Sequence, residues 1–279
     1  TIFGTSFHTF QGGKGANPAV AASRLGVDVS FIGKIGADVF GKQLRENLIE
    51  ENINVEYLEE HDGESGVAFI NVFEKTSENQ IIVVPGANSY VESSQVPQEL
   101  LSTTDILISQ LEISPNQIEQ LFSRAGNHDC FRILNAAPII SFKENLILET
   151  DLLVVNELEL ESLSGYGIDK ENLDSVVIAT KSLNLKDSQS IVVTLGAKGA
   201  YVKNGKKDEF ITGHKVSTLD TTGSGDCFIG ALANNYLEKE NLFESVHFAN
   251  KAAALSTTKK GTSNSMPTKD EVVKFMQTT

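Results

Sequence analysis

Basic residues are in short supply: 23 Lys and Arg stand against 37 Asp and Glu in 279 residues, a formal net charge of −14. A general affinity for nucleic acid or anionic lipid is therefore not expected, and any anion site must be local. Cysteine is scarce too. Cys130 and Cys227 lie far apart and follow no metal-ligand spacing, so neither a disulfide framework nor a zinc site is expected, and both read as small buried residues. No apolar run approaches the ~20 residues of a membrane span, and Thr1-Ile2-Phe3-Gly4-Thr5 has neither the basic n-region nor the apolar h-region of a secretory signal. The expectation is a cytoplasmic protein, nuclear as well in a eukaryote. Internal repeats and long linkers are missing, so a single domain over 1–279 is expected, and 40% apolar residues suffice for a large core.

Short apolar runs at 29–35, 106–110, 131–135, 152–155 and 191–195 alternate with helix-like stretches at 17–25, 40–51, 115–125, 157–164, 173–183, 225–236 and 243–257. That rhythm predicts an α/β protein whose mostly parallel sheet is covered on both faces. One segment departs from it. Residues 66–73 and 80–84 are β-rich and joined by Glu74-Lys75-Thr76-Ser77-Glu78-Asn79, which reads as a hairpin and a candidate lid.

Two glycine clusters open helices. In Asp220-Thr221-Thr222-Gly223-Ser224-Gly225-Asp226, first-turn N–H groups and the helix dipole favour an anion, and glycine lets it approach closely. Asp226 is out of place beside a phosphate: it is either a helix-end charge or the acceptor of a proton from an attacking hydroxyl. In Gly12-Gly13-Lys14-Gly15-Ala16-Asn17-Pro18, Pro18 fits an early helical position and restricts Asn17 to an extended conformation presenting its amide. Lys donates and Asn both donates and accepts, which suits a polyhydroxylated ligand; a plain glycine turn with a helix cap is the other reading.

The remaining signals are weaker. Asn156-Glu157-Leu158-Glu159 follows an apolar strand, where Asn156 and Glu159 share a helix face and either cap it or order a magnesium water shell. Glu112 stands at another strand end. Thr194-Leu195-Gly196-Ala197-Lys198-Gly199 is a tight turn or a place for a nucleotide to meet the backbone. Gly36-Ala37-Asp38-Val39-Phe40-Gly41-Lys42 has P-loop spacing, but no Ser or Thr follows Lys42 and Asp38 and Phe40 occupy the loop, so phosphate binding there is not expected. No strand-to-helix Gly-x-Gly-x-x-Gly marks a dinucleotide site.

In this order and over essentially the whole chain, the two glycine signatures and the Asn-x-x-Glu resemble the ribokinase family of carbohydrate kinases, also called PfkB-type kinases. The resemblance implies a three-layer α/β/α ribokinase-like fold with a mostly parallel central sheet and a small β-sheet lid, built from about 1–11 and 54–86. It implies ATP-dependent phosphorylation of D-ribose at its 5-hydroxyl, with Asp226 as catalytic base and the amides of Gly223, Ser224, Gly225 and Asp226 as anion hole. Gly13, Lys14, Gly15, Ala16, Asn17, Glu112 and Asp226 would hold the sugar. Asn156, Thr194, Leu195, Gly196, Ala197, Lys198, Gly199, Gly225, Asp226 and Asn250 would contact ATP, with Asn156 and Glu159 organising magnesium.

Asp220, Thr222, Ser256, Lys259, Gly261 and Ser265 match positions that hold an activating potassium ion, Lys259 through its backbone carbonyl only, since an ammonium repels a cation. A homodimer through the lid is also implied, and neither nucleic acid nor membrane is an expected partner. Family members begin with a further strand and a glycine-containing segment whose aspartate grips the sugar; this chain starts after it, so a central strand and one sugar ligand are expected to be missing. Adenosine kinase, fructokinase or a non-catalytic sugar or nucleotide binder are the alternative readings.

Overall fold

A computed structural model describes residues 5–73, 78–169 and 171–278. In chain order its elements are α1 (Ala16–Arg24), β1 (Gly33–Gly36), α2 (Val39–Glu50), β2 (Leu58–His61), β3 (Val67–Phe73), β4 (Glu78–Val84), α3 (Gln98–Leu101), β5 (Ile106–Gln110), α4 (Pro115–Ala125) and β6 (Phe131–Asn135). There follow α5 (Glu144–Leu148), β7 (Leu152–Asn156), α6 (Glu157–Ser164), α7 (Asp174–Ser182), β8 (Ser190–Thr194), β9 (Gly199–Asn204), β10 (Lys207–Thr212), α8 (Ser224–Lys239), α9 (Leu242–Ser256) and α10 (Lys269–Thr278).

β5, β6, β7 and β8 run parallel, and β9 and β10 extend the sheet as an antiparallel meander. Alternation along the strands sends side chains to opposite faces. Val154 packs with Val20, Phe228 and Val246 of α1, α8 and α9, whereas its neighbour Val155 packs with Ile118, Leu160 and Val176 of α4, α6 and α7. Two cores flank one sheet, giving the three-layer α/β/α architecture with helices on both faces. Burying each Leu, Ile or Val contributes ~1.5–3 kcal/mol. Cys130 and Cys227 are free and buried, one in each core.

β1 and β2 pair in parallel with each other and with no further strand among the described residues. A cavity of about 2740 Å³ is lined by both β1 and β5. The strand expected over 29–35 is mostly irregular: Ser30 makes only an isolated bridge to Asn54, because the partner strand spans just Leu58–His61. The expected hairpin is present as β3 and β4, paired from Val67↔Val84 to Phe73↔Glu78, and residues 74–77 of its expected turn lie outside the described residues. The lid is smaller than expected. Residues 6–12 form no strand and 58–61 belong to the β1 pair; Phe7 and Phe10 are exposed, since a two-stranded ribbon offers them no closed face to pack on.

The segment with P-loop spacing roots this hairpin. Asp38 caps α2 by accepting from Gly41 N at 2.7 Å and also accepts from Ser65 N at 2.8 Å and Ser65 Oγ at 2.7 Å. The backbone N–H of Ser65, followed by that of Gly41, holds the Asp38 carboxyl below its ordinary range. A carboxylate fills the space in which a phosphate would sit.

Candidate active site

The first turns of α1 and α8 meet across the site. Asn17 Nδ2 donates to Asp226 Oδ2 at 2.7 Å, a bond between residues 209 apart in sequence. Both side chains are buried, Asn17 at 4% and Asp226 at 8% exposure. Asn17 Oδ1 is buried with no hydrogen-bond partner. Such an orphaned acceptor calls for a donor from a ligand, and a hydroxyl supplies one. The expected extended conformation of Asn17 is not found: it lies inside α1 with its N–H on Gly13 O at 2.9 Å. Pro18 does not prevent this, because a first-turn N–H needs no intrahelical partner, and the bond to Asp226 aims the amide instead.

Two contacts fix the loop before α1. Lys14 N donates to Glu112 Oε2 at 3.3 Å, joining it to the end of β5. Gln11 O accepts from Thr262 Oγ1 at 2.6 Å and Ser263 Oγ at 3.0 Å. Thr262 and Ser263 were not legible as part of the site; their only sequence signal is membership of the Ser-rich stretch 261–265. Gly13, Lys14, Gly15, Ala16, Glu112, Asp220, Thr222 and Gly261 all line the large cavity.

α8 begins at Gly223, whose left-handed φ of 76° turns the chain into the helix and would strain any other residue. Of the four amides expected to form an anion hole, that of Ser224 donates to Thr221 O at 3.2 Å, closing a turn. This is a correction: Gly223, Gly225 and Asp226 are left with amides free of protein acceptors among the described residues. A Cβ built at Gly225 meets nothing within 4 Å, so the approach to those amides is open.

Burial pushes the Asp226 carboxyl from 3.8 up to about 6, against the opposing effects of the Lys14 charge and the Asn17 hydrogen bond, with Glu112 adding a smaller upward push. A carboxylate near neutrality in a buried site is the state a general base requires.

Asn156 and Glu159 form a capping box at the start of α6, with Glu159 N on Asn156 Oδ1 at 2.9 Å and Asn156 N on Glu159 Oε2 at 2.8 Å. Burial first, with help from the Asp226 charge, raises the Glu159 carboxyl, while the Asn156 N–H and the Lys14 charge lower it. The box therefore lies within electrostatic reach of Lys14 and Asp226. Glu159 keeps Oε1 outside the box, one carboxylate oxygen of the hard kind that magnesium takes. Among the described residues no group of three or more His, Cys, Asp or Glu gathers to hold a metal, so a magnesium ion here would draw most of its ligands from phosphate and water.

The Thr194–Gly199 segment joins this end of the sheet, since Thr194 is the register partner of Asn156. Gly196, Ala197 and Lys198 make a 3₁₀ turn after Leu195, and Lys198 pairs with Glu171 at 3.4 Å. Asn250 Nδ2 reaches Ile211 O at 3.4 Å, next to Gly199 across the β9 and β10 pair.

Of the expected potassium positions, Asp220, Thr222 and Gly261 are joined by hydrogen bonds. Asp220 Oδ1 accepts from Thr222 N at 3.0 Å and its Oδ2 from Gly261 N at 3.1 Å, and Leu219 and Asp220 N–H both bond Thr257 O. Burial alone would raise the Asp220 carboxyl, but the Thr222 and Gly261 hydrogen bonds outweigh it and the carboxyl is lowered. Lys259 Nζ turns to Glu271 at 2.6 Å, while Ser256 and Ser265 are buried with their hydroxyls on Ala253 and Thr262 carbonyls.

The profile of the pfkB family carbohydrate kinases matches residues 3–269. A ribokinase of Haemophilus influenzae is 36% identical over 280 residues, 99% of this chain and 90% of that protein. One from Schizosaccharomyces pombe is 35% identical over 275 residues, covering 95% and 86%. Among solved structures, a ribokinase from Thermotoga maritima superposes with a TM-score of 0.86 at 31% identity, over 99% of this chain and 91% of that one. An Arabidopsis thaliana ribokinase complexed with ribose and ATP superposes at 0.88 with 28% identity, over 99% and 91%. The chain belongs to the pfkB family of carbohydrate kinases.

Proposed function

We propose that this kinase transfers the γ-phosphoryl group of ATP to the 5-hydroxyl of D-ribose, giving D-ribose 5-phosphate and ADP. The observation that carries this reading is the Asn17–Asp226 pair: a buried carboxylate bonded at 2.7 Å to an amide whose own acceptor has no partner. The ribokinases among its relatives, and the Arabidopsis neighbour solved with ribose and ATP, support ribose over other acceptors.

In this scheme Asn17, Lys14 and Glu112 bind and orient the sugar, and Asp226 takes the proton from its hydroxyl as the oxygen bonds to the γ-phosphorus. The bond from that phosphorus to the β–γ bridging oxygen breaks, and the electron pair leaves with ADP. The free amides of Gly223, Gly225 and Asp226 face the transferring group, where the helix dipole also favours negative charge. Asn156, the Thr194–Gly199 segment and Asn250 form the nucleotide rim. Magnesium, when bound with the nucleotide, neutralises phosphate charge, and Glu159 is the residue that would order its waters. The oxygen-rich loops carrying Asp220, Thr222, Ser256, Lys259, Gly261 and Ser265 would hold potassium.

ADP release measured with ribose, 2-deoxyribose, fructose and adenosine tests the proposal. The highest kcat/KM is expected on ribose. Greater turnover of any other acceptor reassigns the substrate, and sugar binding without ADP release from any of them leaves a binder rather than an enzyme.

We further propose that two copies pair through the hairpin. Phe69, Ile70, Ile81 and Ile82 are each about half exposed, with Phe69 opposite Ile82 and Ile70 opposite Ile81. Neighbouring pairs point to opposite faces, so both faces of the ribbon are apolar and uncovered. A two-stranded ribbon is marginal alone, and such a patch marks an interface. Light scattering should give a dimer that Ile82→Glu dissociates; a monomeric parent protein at micromolar concentration rules the pairing out.

A further inference from the structure

At the carboxyl ends of β5 and β6 lie two amides with no evident task. Gln110 and Asn135 are register partners, 9% and 8% exposed. They share the sheet face of Ile108 and Ile133, which looks toward α1 and α8. Neither side chain has a hydrogen-bond partner in the protein among the described residues, and neither amide is sealed from solvent, so each is open to a partner that arrives from outside. Gln110 lines the large cavity together with Gly13, Lys14, Gly15 and Glu112. Its Oε1 lies only 3.4 Å from where a Cβ on Gly15 would stand, so the amide sits against the loop that carries Lys14 and Asn17.

We infer that Gln110 reads a sugar hydroxyl and sets acceptor specificity; this rests on the sugar-kinase reading above. The chemistry favours a hydroxyl over a charged ligand. A primary amide offers a donor and an acceptor without charge, as a hydroxyl does, and the neighbouring carboxylates already accept from the protein, Glu112 from the Lys14 backbone N–H and Asp226 from the Asn17 amide. With the sugar absent the Gln110 amide meets only solvent; with the sugar bound it gains a fixed partner. Gln110 is therefore a binding and specificity residue.

Gln110→Met keeps the length and removes both polar groups. Calorimetric titration with D-ribose, without nucleotide, should show affinity weakened about 10- to 100-fold, as for losing one buried hydrogen bond. KM for ribose should rise in parallel, while kcat and the KM for ATP stay within about threefold. The sugar-free variant should melt no lower than the parent, since the Gln110 amide makes no bond within the protein that the variant would lose. Gln110→Asn, still polar but too short to reach, must show the same loss of ribose affinity. Unchanged ribose affinity in both variants overturns the inference, as does a lower melting temperature with ribose affinity unmoved. If the parent binds and phosphorylates another sugar instead, the ribose assignment fails and Gln110 is judged on that sugar. A parent that binds no sugar overturns both readings.

Discussion

Asp226→Asn should lower kcat by ~10²- to 10⁴-fold, the usual contribution of a positioned base, and at the same time make the protein more stable at pH 7.5. The two effects have one cause. Burial raises the Asp226 carboxyl from 3.8 to about 6 in the folded protein, so the folded state resists ionisation more than the unfolded chain does. Below pH ~4 the group is neutral in both states and costs nothing; as pH rises through about 6 its charge is forced into a buried place and stability is lost. A neutral amide escapes that loss, so the variant gains up to about 3 kcal/mol above pH 6, taking ~1.4 kcal/mol for each pKa unit. Urea melts at pH 4 and pH 7.5 should show the variant's advantage only at the higher pH. Near-normal turnover removes Asp226 from the base role, and a variant destabilised at pH 7.5 refutes the burial argument. As a companion, Lys14→Met removes the charge that holds this carboxyl down, so the acid limb of kcat/KM should move to higher pH than the parent's value near 6.

Gly230→Val should damage folding and catalysis together. Gly230 lies one turn beyond Asp226 on α8, where α1 presses against it. A Cβ there would stand 2.5 Å from Pro18 O, 2.7 Å from Ala21 Cβ and 2.9 Å from Ala22 N. Two of these atoms are backbone, so α1 itself has to move, at ~1–3 kcal/mol for overpacking. Asn17 precedes Pro18 on that helix, and its 2.7 Å bond to Asp226 lengthens with the shift. Displacements of ~1 Å at a reacting pair cost about 10²-fold. A lower melting temperature with kcat/KM for the sugar down by about that factor is expected. Full activity in the variant means that the spacing of α1 and α8 does not set the site. Gly225→Ala is the contrast: its Cβ enters open space, so the melting temperature should hold while phosphate approach, and hence turnover, suffers.

How much of this was legible beforehand depended on where the determining contacts lie. β5, β6, β7 and β8 announce themselves because each is a short apolar run between turn residues. β2 does not: Leu58-Glu59-Glu60-His61 has one buried apolar side chain and is a strand only because β1 pairs with it. β10, Lys207–Thr212, is an exposed edge with only Ile211 buried, and its charges hide it. Stretches that lie within one loop and the following helix, such as Gly12–Asn17 and Asp220–Asp226, could be picked out as helix openings from the chain alone. Partnerships across the chain could not. Thr262 holding Gln11, Asp38 rooting the hairpin through Ser65, and the amide pair of Gln110 and Asn135 depend on folding that brings distant segments together. Even within a readable motif, Ser224 N–H proved to be engaged by Thr221, a turn bond that composition does not reveal.

The cavity lined by β1 and β5 has a chemical consequence of its own. At about 2740 Å³ it has room for on the order of 90 water molecules at ~30 Å³ each. Water is a small alcohol analogue, and a molecule that passes from this cavity to Asp226 can present an O–H to the carboxylate and an oxygen to the γ-phosphorus. The sugar's true rival is therefore solvent, present at a concentration no metabolite approaches. The ratio of idle ATP hydrolysis to phosphoryl transfer becomes a direct gauge of how completely a bound sugar displaces water from this space.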